Sequence, residues 1–333
     1  MKVGFFTYGN HQMGMGHVYR CISLAKVIKK KWTEAKIIFE IRESSETMRL
    51  LREHDHILIN SYSPGVLPKG RWDLLMVDQL SVAPGVMKHL KKNCRVLVSL
   101  DDIGLGHYEA DLSINSIYAC CVNKPPESQT ITLVGFSHLI MDPAFGSASY
   151  IVRDQVRELL ISQGGADTYG IIPQLVTALG CWLEEVGNIR LNIHIGPAFK
   201  HEAELSQAIK EYKTPVLCHR GTENMLDLFL SMDIAISGVG IMACELAALG
   251  VPTVLVTGEE KELETASMFE ESEIAINMKK YDSSKNAMLI NALQGLINKK
   301  DRDSLSVRSR TLIDGNGAER IINHIVNLLN ETN

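Results

Sequence analysis

The chain is poor in the features that mark several large protein classes. Its 34 Lys and Arg are outnumbered by 39 Asp and Glu, for a net charge of −5. A nucleic-acid-binding surface needs a basic field, so no nucleic-acid partner is expected, although a local pocket for one small anion remains open. The seven cysteines are odd in number and irregular in spacing, and no C-x-x-C occurs. That argues against a disulfide framework and for free thiols in a reducing compartment. No apolar run reaches the roughly 18 residues of a spanning helix, so no stable membrane insertion is expected. The opening MKVGFFTYGN has no basic segment followed by a long apolar stretch, and the expectation is a cytoplasmic protein without a signal peptide. Short internal repeats and low-complexity tracts are missing as well. With 333 residues, 45% hydrophobic and 22% charged, the chain is long enough for two globular domains.

What is present is a rhythm. Strand-like apolar runs KVGFFTY, KIIFEI, HILIN, LLMVD, RVLVSLD and DLSIN alternate with amphipathic stretches such as VYRCISLAKVIKKKW, SETMRLLREH and PGVMKHLKKN. Strand and helix in short alternation predict a parallel α/β sheet covered on both faces. The Gly-, Ser- and Pro-containing segment TLVGFSHLIMDPAFGSAS breaks the pattern. A second series then follows: VRELLISQ, LNIHIG, TPVLCH, DIAISG, PTVLVTG and EIAINM, with helical patterns including YGIIPQLVTALGCWLEEVG, GIMACELAALG and SKNAMLINALQGLINKK. The domains expected are 1–141, 142–316 and a C-terminal helix, 317–333, that returns to the first. The fold class expected is α/β, with two Rossmann-like domains whose parallel sheets face one another across a cleft.

Three loops stand where α/β sheets bind ligands, beyond the carboxyl ends of strands. In SGVGIMACELAALGVP, Gly238, Val239 and Gly240 lead into a helix that Gly250 and Pro252 stop. Bare amides at that helix start, aided by the macrodipole, suit a diphosphate without a metal. Glu245, further along the helix, could accept the two hydroxyls of a ribose. The loop QGGAD places Gly164 and Gly165 before another helix, which Asp167 is suited to cap. In HQMGMGHVYRC, Gly14 and Gly16 bracket Met15, and His17 opens the helix. The positive end of that helix disfavours a protonated imidazole, as a general base requires; the plainer alternative is a histidine that caps its helix. Arg20, one turn on, is placed to meet an anionic group. Asp78 ends a strand and faces the expected cleft. Asp101 and Asp102 end another, where acidic pairs of some sugar transferases bind metal, but no further ligand is near in sequence and no metal is expected.

GMGHVYRCISLA, LVSLDDIG, a strand followed by GGAD, and ISGVGIMACELAALGVP, in that order, resemble the UDP-sugar hydrolases of pseudaminic acid biosynthesis. These belong to the wider GT-B class with the lipid II N-acetylglucosaminyltransferase. VGFSHLIMDPAF is similar to the family's crossover segment. The resemblance implies a nucleotide-sugar substrate, no cofactor, and hydrolysis with inversion at C1. His17 would activate water, Gly238, Val239 and Gly240 would hold the diphosphate, and Glu245 the ribose; fixed amide dipoles, not a metal, would stabilise the leaving phosphate. Two departures fall where the sugar is recognised. The family's aspartate, one residue, then tyrosine is here Asp78, Gln79, Leu80, and its Asn-Gln pair is here Lys261 and Glu262. They keep a glycosyltransferase with a sugar or lipid acceptor in view, and a binding module without chemistry is a third reading. A dehydrogenase is disfavoured, because GMGHVYR lacks the G-x-G-x-x-G spacing.

Overall fold

A computed structural model describes residues 1–9, 15–42, 44–63, 65–117, 127–210, 212–213, 215–221 and 224–331. In chain order the elements are β1 (Lys2–Thr7), α1 (Gly16–Lys31), β2 (Lys36–Arg42), α2 (Ser45–Arg52), β3 (Ile57–Tyr62), β4 (Trp72–Asp78), α3 (Pro84–Lys91), β5 (Cys94–Leu100), β6 (Leu112–Asn115) and β7 (Ile131–Val134). They continue as α4 (Pro143–Ser147), β8 (Glu158–Ser162), α5 (Ile171–Val186), β9 (Arg190–Ile195), α6 (Glu202–Lys210), β10 (Val216–Arg220), α7 (Met225–Leu230) and β11 (Ile234–Ser237). The last are α8 (Ile241–Leu249), β12 (Thr253–Thr257), α9 (Leu263–Glu271), β13 (Ile276–Lys280), α10 (Asn286–Ile297), α11 (Lys299–Leu312) and α12 (Gly317–Glu331).

The chain divides into two compact units, Met1–Pro143 with Gly315–Asn333, and Ala144–Asp314. The first holds a seven-stranded parallel sheet in the order β3-β2-β1-β4-β5-β6-β7. Its central strands are near-continuous apolar runs because both faces are covered. Phe5, Ile37, Phe39, Leu74 and Met76 pack under α1 and under Ile321, Ile322 and Ile325 of α12. Alternate residues Phe6, Ile38, Leu75 and Val77 face Met87 and Leu90 of α3. The return of α12 is fixed at Gly317, where a Cβ would collide with the backbone oxygen of Leu139.

The second unit holds six parallel strands in the order β10-β9-β8-β11-β12-β13. Leu175, Leu179 and Leu183 of α5 and Leu289, Leu293 and Leu296 of α10 close one face over Leu159, Ile161, Ile193 and Val254. Both strand orders reverse at one place, between β1 and β4 and between β8 and β11, and such reversal points are where open α/β sheets leave a crevice.

Two elements differ from the sequence expectation. Strand β7 begins one residue before the stretch read as a break and runs into it, because its exposed edge position leaves it no buried apolar run. SKNAMLINALQGLINKK is not one helix. It breaks at Asn298, whose extended backbone and side-chain oxygen, accepting from Lys300 N at 3.0 Å, start α11 afresh.

Candidate functional site

The reversal point of the first sheet is filled with charge. Helix α1 follows β1 and begins at Gly16, with Met15 in the capping position, so His17 lies in its first turn. Strand β4 runs beside β1 and ends at Asp78, in register with Thr7. These two ends meet: His17 Nδ1 lies 2.5 Å from Asp78 Oδ1. Arg20, one turn along α1, donates from Nε to Asp78 Oδ2 at 2.6 Å and from a terminal nitrogen to Oδ1 at 2.5 Å. Its other terminal nitrogen pairs with Asp101, which follows β5. Asp101 in turn accepts from Ser116 N at 2.7 Å. Its φ of 45° is uncommon for a residue with a side chain, a backbone cost of the kind that gathers at functional positions.

The electrostatics fix the roles. Asp78 is fully buried. Burial pushes its carboxyl up, but the Arg20 charge and hydrogen bond, together with His17, outweigh it and hold the group below the usual carboxylate range. Burial opposes the charge on Arg20, yet Asp78 and Asp101 outweigh that and raise it above the usual guanidinium value. An ionised Asp78 only accepts, so the proton between it and His17 sits on Nδ1. With the Nδ1 proton directed to Asp78, the unprotonated form of the ring presents Nε2 as its acceptor, and no hydrogen-bond partner for Nε2 lies among the described residues. The ring keeps 17% of its surface exposed and lies 5.6 Å from the ring of Tyr8. A base nitrogen open to a reactant and a second nitrogen oriented by a carboxylate is the arrangement that general-base catalysis uses.

Several sequence expectations change here. His17 makes no cap for its own helix; its ring turns to Asp78. The macrodipole is not the only field on it, because a buried carboxylate lies against Nδ1. Arg20 does meet anionic groups, but they belong to the chain, and at 5% exposure the guanidinium is taken up by Asp78 and Asp101. Asp78 is interior for the same reason and orients His17. Gly16 is the first residue of α1, while Gly14 lies outside the described residues. Asp102 is turned away from this cluster, its Oδ1 accepting from Val82 N at 3.0 Å and Gly104 N at 2.7 Å. Among the described residues no three His, Cys, Asp or Glu side chains gather as metal ligands. Sequence reading missed Tyr8 and the Asp101–Arg20 pair; the legible signal was a carboxylate at the ends of two neighbouring strands.

The reversal point of the second sheet is filled with glycine. Gly238 N donates to Ser162 O at 2.9 Å, tying the turn after β11 to the end of β8. A Cβ on Gly238 would come within 2.9 Å of Gln163 Oε1. Gly196, after β9, sits so tightly against the oxygens of Gly164 and Gly165 that no side chain fits, and Ala198 N donates to Gly165 O at 2.9 Å. The loops holding Gly164, Gly165 and Gly238 are thus brought together, with Gly196 as a member that sequence reading missed. Gly164 has φ +68°, which favours glycine. At Gly165 neither φ nor a neighbouring atom forbids a side chain: a Cβ there meets nothing within 4 Å. Val239 and Gly240 lead into α8, whose first turn has no side-chain cap and no acid. Glu245 is half-buried in the middle of α8. Asp167 does cap α5, accepting from Ile171 N at 2.8 Å and Ile172 N at 2.9 Å. Lys261 pairs with Glu259 at 2.5 Å, and Glu262 closes a capping box with Glu259.

No family model matches the chain. It is similar to the spore coat polysaccharide biosynthesis protein SpsG of Bacillus subtilis, 25% identical over 333 residues and 96% of each chain. It is also similar to an uncharacterized protein of Methanocaldococcus jannaschii, 25% identical over 280 residues, 79% of this chain and 57% of that one. The chain thus spans little more than half the length of the archaeal relative. Among solved structures, MurG of Acinetobacter baumannii superposes with a TM-score of 0.66 at 15% identity, over 99% of this chain and 100% of that one. A putative UDP-N-acetylglucosamine 2-epimerase from Listeria monocytogenes gives 0.66 at 13%, over 100% and 97%. The fold is of the GT-B type. Among the described residues no helix is long and apolar enough to cross a membrane.

Proposed function

We propose that the chain is a nucleotide-sugar-processing enzyme of polysaccharide biosynthesis that hydrolyses a UDP-linked sugar at C1. The observation that carries this reading is the His17–Asp78 pair, 2.5 Å apart at the strand-order reversal of the first sheet. In the proposed reaction a water donates its proton to His17 Nε2 as its oxygen attacks C1. The C1–O bond to phosphate breaks, and UDP departs. Two carboxylates, Asp78 and Asp101, face one guanidinium, Arg20. The negative charge left over stabilises the imidazolium as it forms, while Asp78 keeps the ring aimed. The diphosphate is assigned to the amides of Gly238, Val239 and Gly240 and the start of α8, with Gly164 and Gly165 leaving room beside it and Glu245 taking the ribose. Amide dipoles offset the charge developing on the leaving group. SpsG, named for spore coat polysaccharide biosynthesis, supports the pathway class, and the resemblance of the GMGH and SGVG loops supports UDP and water. Arg20 and Asp78 are positioning residues in this scheme.

A second reading, transfer to a lipid-linked acceptor, is favoured by one observation. Leu80, Ile103 and Leu105 are 39%, 48% and 68% exposed, and Ile103 N donates to Leu80 O at 2.9 Å, so apolar side chains gather on the first unit. Proton NMR of a panel of UDP-sugars incubated with the protein separates the two. Free sugar released without any acceptor supports hydrolysis. Turnover only after lipid acceptor is added supports transfer.

A further inference from the structure

On the face of the first sheet that carries α3, a cavity of about 270 Å³ lies at the ends of the strands. Phe6, Val82 and Val86 form apolar walls, and Arg42, Gln79 and Ser81 add polar ones. Gln79 is only 6% exposed, and its Nε2 is buried without a hydrogen-bond partner among the described residues. Few native amide groups are left so, because the lost hydration is not regained. Strand alternation explains its direction: Asp78 turns to α1 and His17, so Gln79, next in the chain, turns to the opposite face. Arg42 is exposed and pairs with no carboxylate among the described residues. Its guanidinium lies 5.1 Å from the centre of the Tyr8 ring, the ring that also touches His17.

We propose that this cavity binds a small carboxylate on a short apolar body. The Gln79 amide and the Arg42 guanidinium donate to its oxygens, and Phe6, Val82 and Val86 cover its carbons. A guanidinium and an unmatched amide N–H are donors that call for an acceptor, preferably an anionic one. The volume lies under the ~300–1,000 Å³ of ordinary ligand pockets, so it takes a fragment and not a whole nucleotide sugar. The carboxylate has two sources of the same chemistry: a free monocarboxylate, or an acid group carried by a sugar held near His17, since Tyr8 touches both His17 and Arg42.

The test is NMR on the ¹⁵N-labelled full chain, following the Gln79 side-chain amide and the Arg42 Nε–H signals. Isobutyrate and UDP-glucuronate are titrated, with isobutanol and UDP-glucose as partners that lack the carboxylate. The expected result is that at least one carboxylate shifts both signals and its uncharged partner does not. A shift with isobutyrate assigns a free monocarboxylate; a shift with UDP-glucuronate alone assigns an acidic sugar. Arg42→Gln, at an exposed position, and Gln79→Leu should each weaken that binding at least about tenfold. No shift with either carboxylate, or unchanged affinity in Arg42→Gln, overturns the proposal. The readout needs no turnover, so its failure leaves the hydrolase reading standing, and the reverse also holds.

Discussion

The two sheets reverse strand order at equivalent places, after β1 and after β8, yet these places are furnished in opposite ways. Between β1 and β4 the chain buries Arg20, Asp78 and Asp101 against one another and leaves one edge of His17 open. Between β8 and β11 it removes side chains, placing Gly164, Gly165, Gly196 and Gly238 around bare backbone. The first site is preorganised by charge held out of water, and losing one member strands another. The second is preorganised by space, and its vulnerability is to added atoms. That contrast matches a division of labour in which proton transfer needs an oriented imidazole and anion binding needs uncovered amides.

The comparison can be broken at either end. The largest expected effect is at Asp78. Asp78→Asn removes the charge that pairs with Arg20 and replaces one of the two oxygens that His17 and Arg20 share with an NH2 group that cannot accept. Chemical denaturation should show a loss of about 3 kcal/mol, as for breaking a buried ion pair, and turnover should fall with it; a variant as stable as the parent would mean the cluster is not held by charge. Next is Gly196→Ala, where the new methyl meets backbone oxygens that cannot rotate away. Overpacking of this kind costs about 2–3 kcal/mol, and thermal unfolding of the variant would show it.

A smaller effect comes from Asp102. Burial pushes its carboxyl up to about 6, although hydrogen bonds from Gly104 and Val82 oppose this. A carboxyl that binds its proton more tightly when folded adds stability below its unfolded pKa, near 3.9, and loses it as pH rises through about 6. The wild type should therefore lose about 2 kcal/mol from this group between pH 4 and pH 7. Asp102→Asn should lack that part of the slope in denaturation curves taken across the range; an unchanged slope would mean the group titrates normally. The smallest effect sharpens the contrast most. Gly165→Val adds a side chain whose Cβ meets nothing within 4 Å among the described residues, so stability should stay within about 0.5 kcal/mol. UDP affinity measured by calorimetry should nevertheless drop about tenfold. Unaltered affinity would remove the diphosphate from this loop.

The fold was largely legible because parallel strands buried on both faces leave unbroken apolar runs, as in KVGFFTY and LLMVD. Edge strand β7 escaped for lack of such a run. Local elements of the site were legible too: His17 does open a helix, Asp167 does cap α5, and Gly250 does end α8. What escaped were the contacts between the site's own residues. That Asp78 would reach His17, or that Asp101 would take the far side of Arg20, depends on which strands become neighbours. Spacing along the chain, 61 residues from His17 to Asp78, carries no trace of it. The same blindness hid Gly196, whose need to be glycine arises from oxygens more than thirty positions away.

The central claim is that His17 serves chemistry while the glycine turns serve binding. It is tested most directly by measuring, on one preparation of His17→Ala, both UDP affinity by calorimetry and release of free sugar from the UDP-sugar that the wild type turns over. UDP binding should stay within about twofold of wild type, and the rate should fall by about 10²–10⁴-fold. Release at the wild-type rate would contradict the claim.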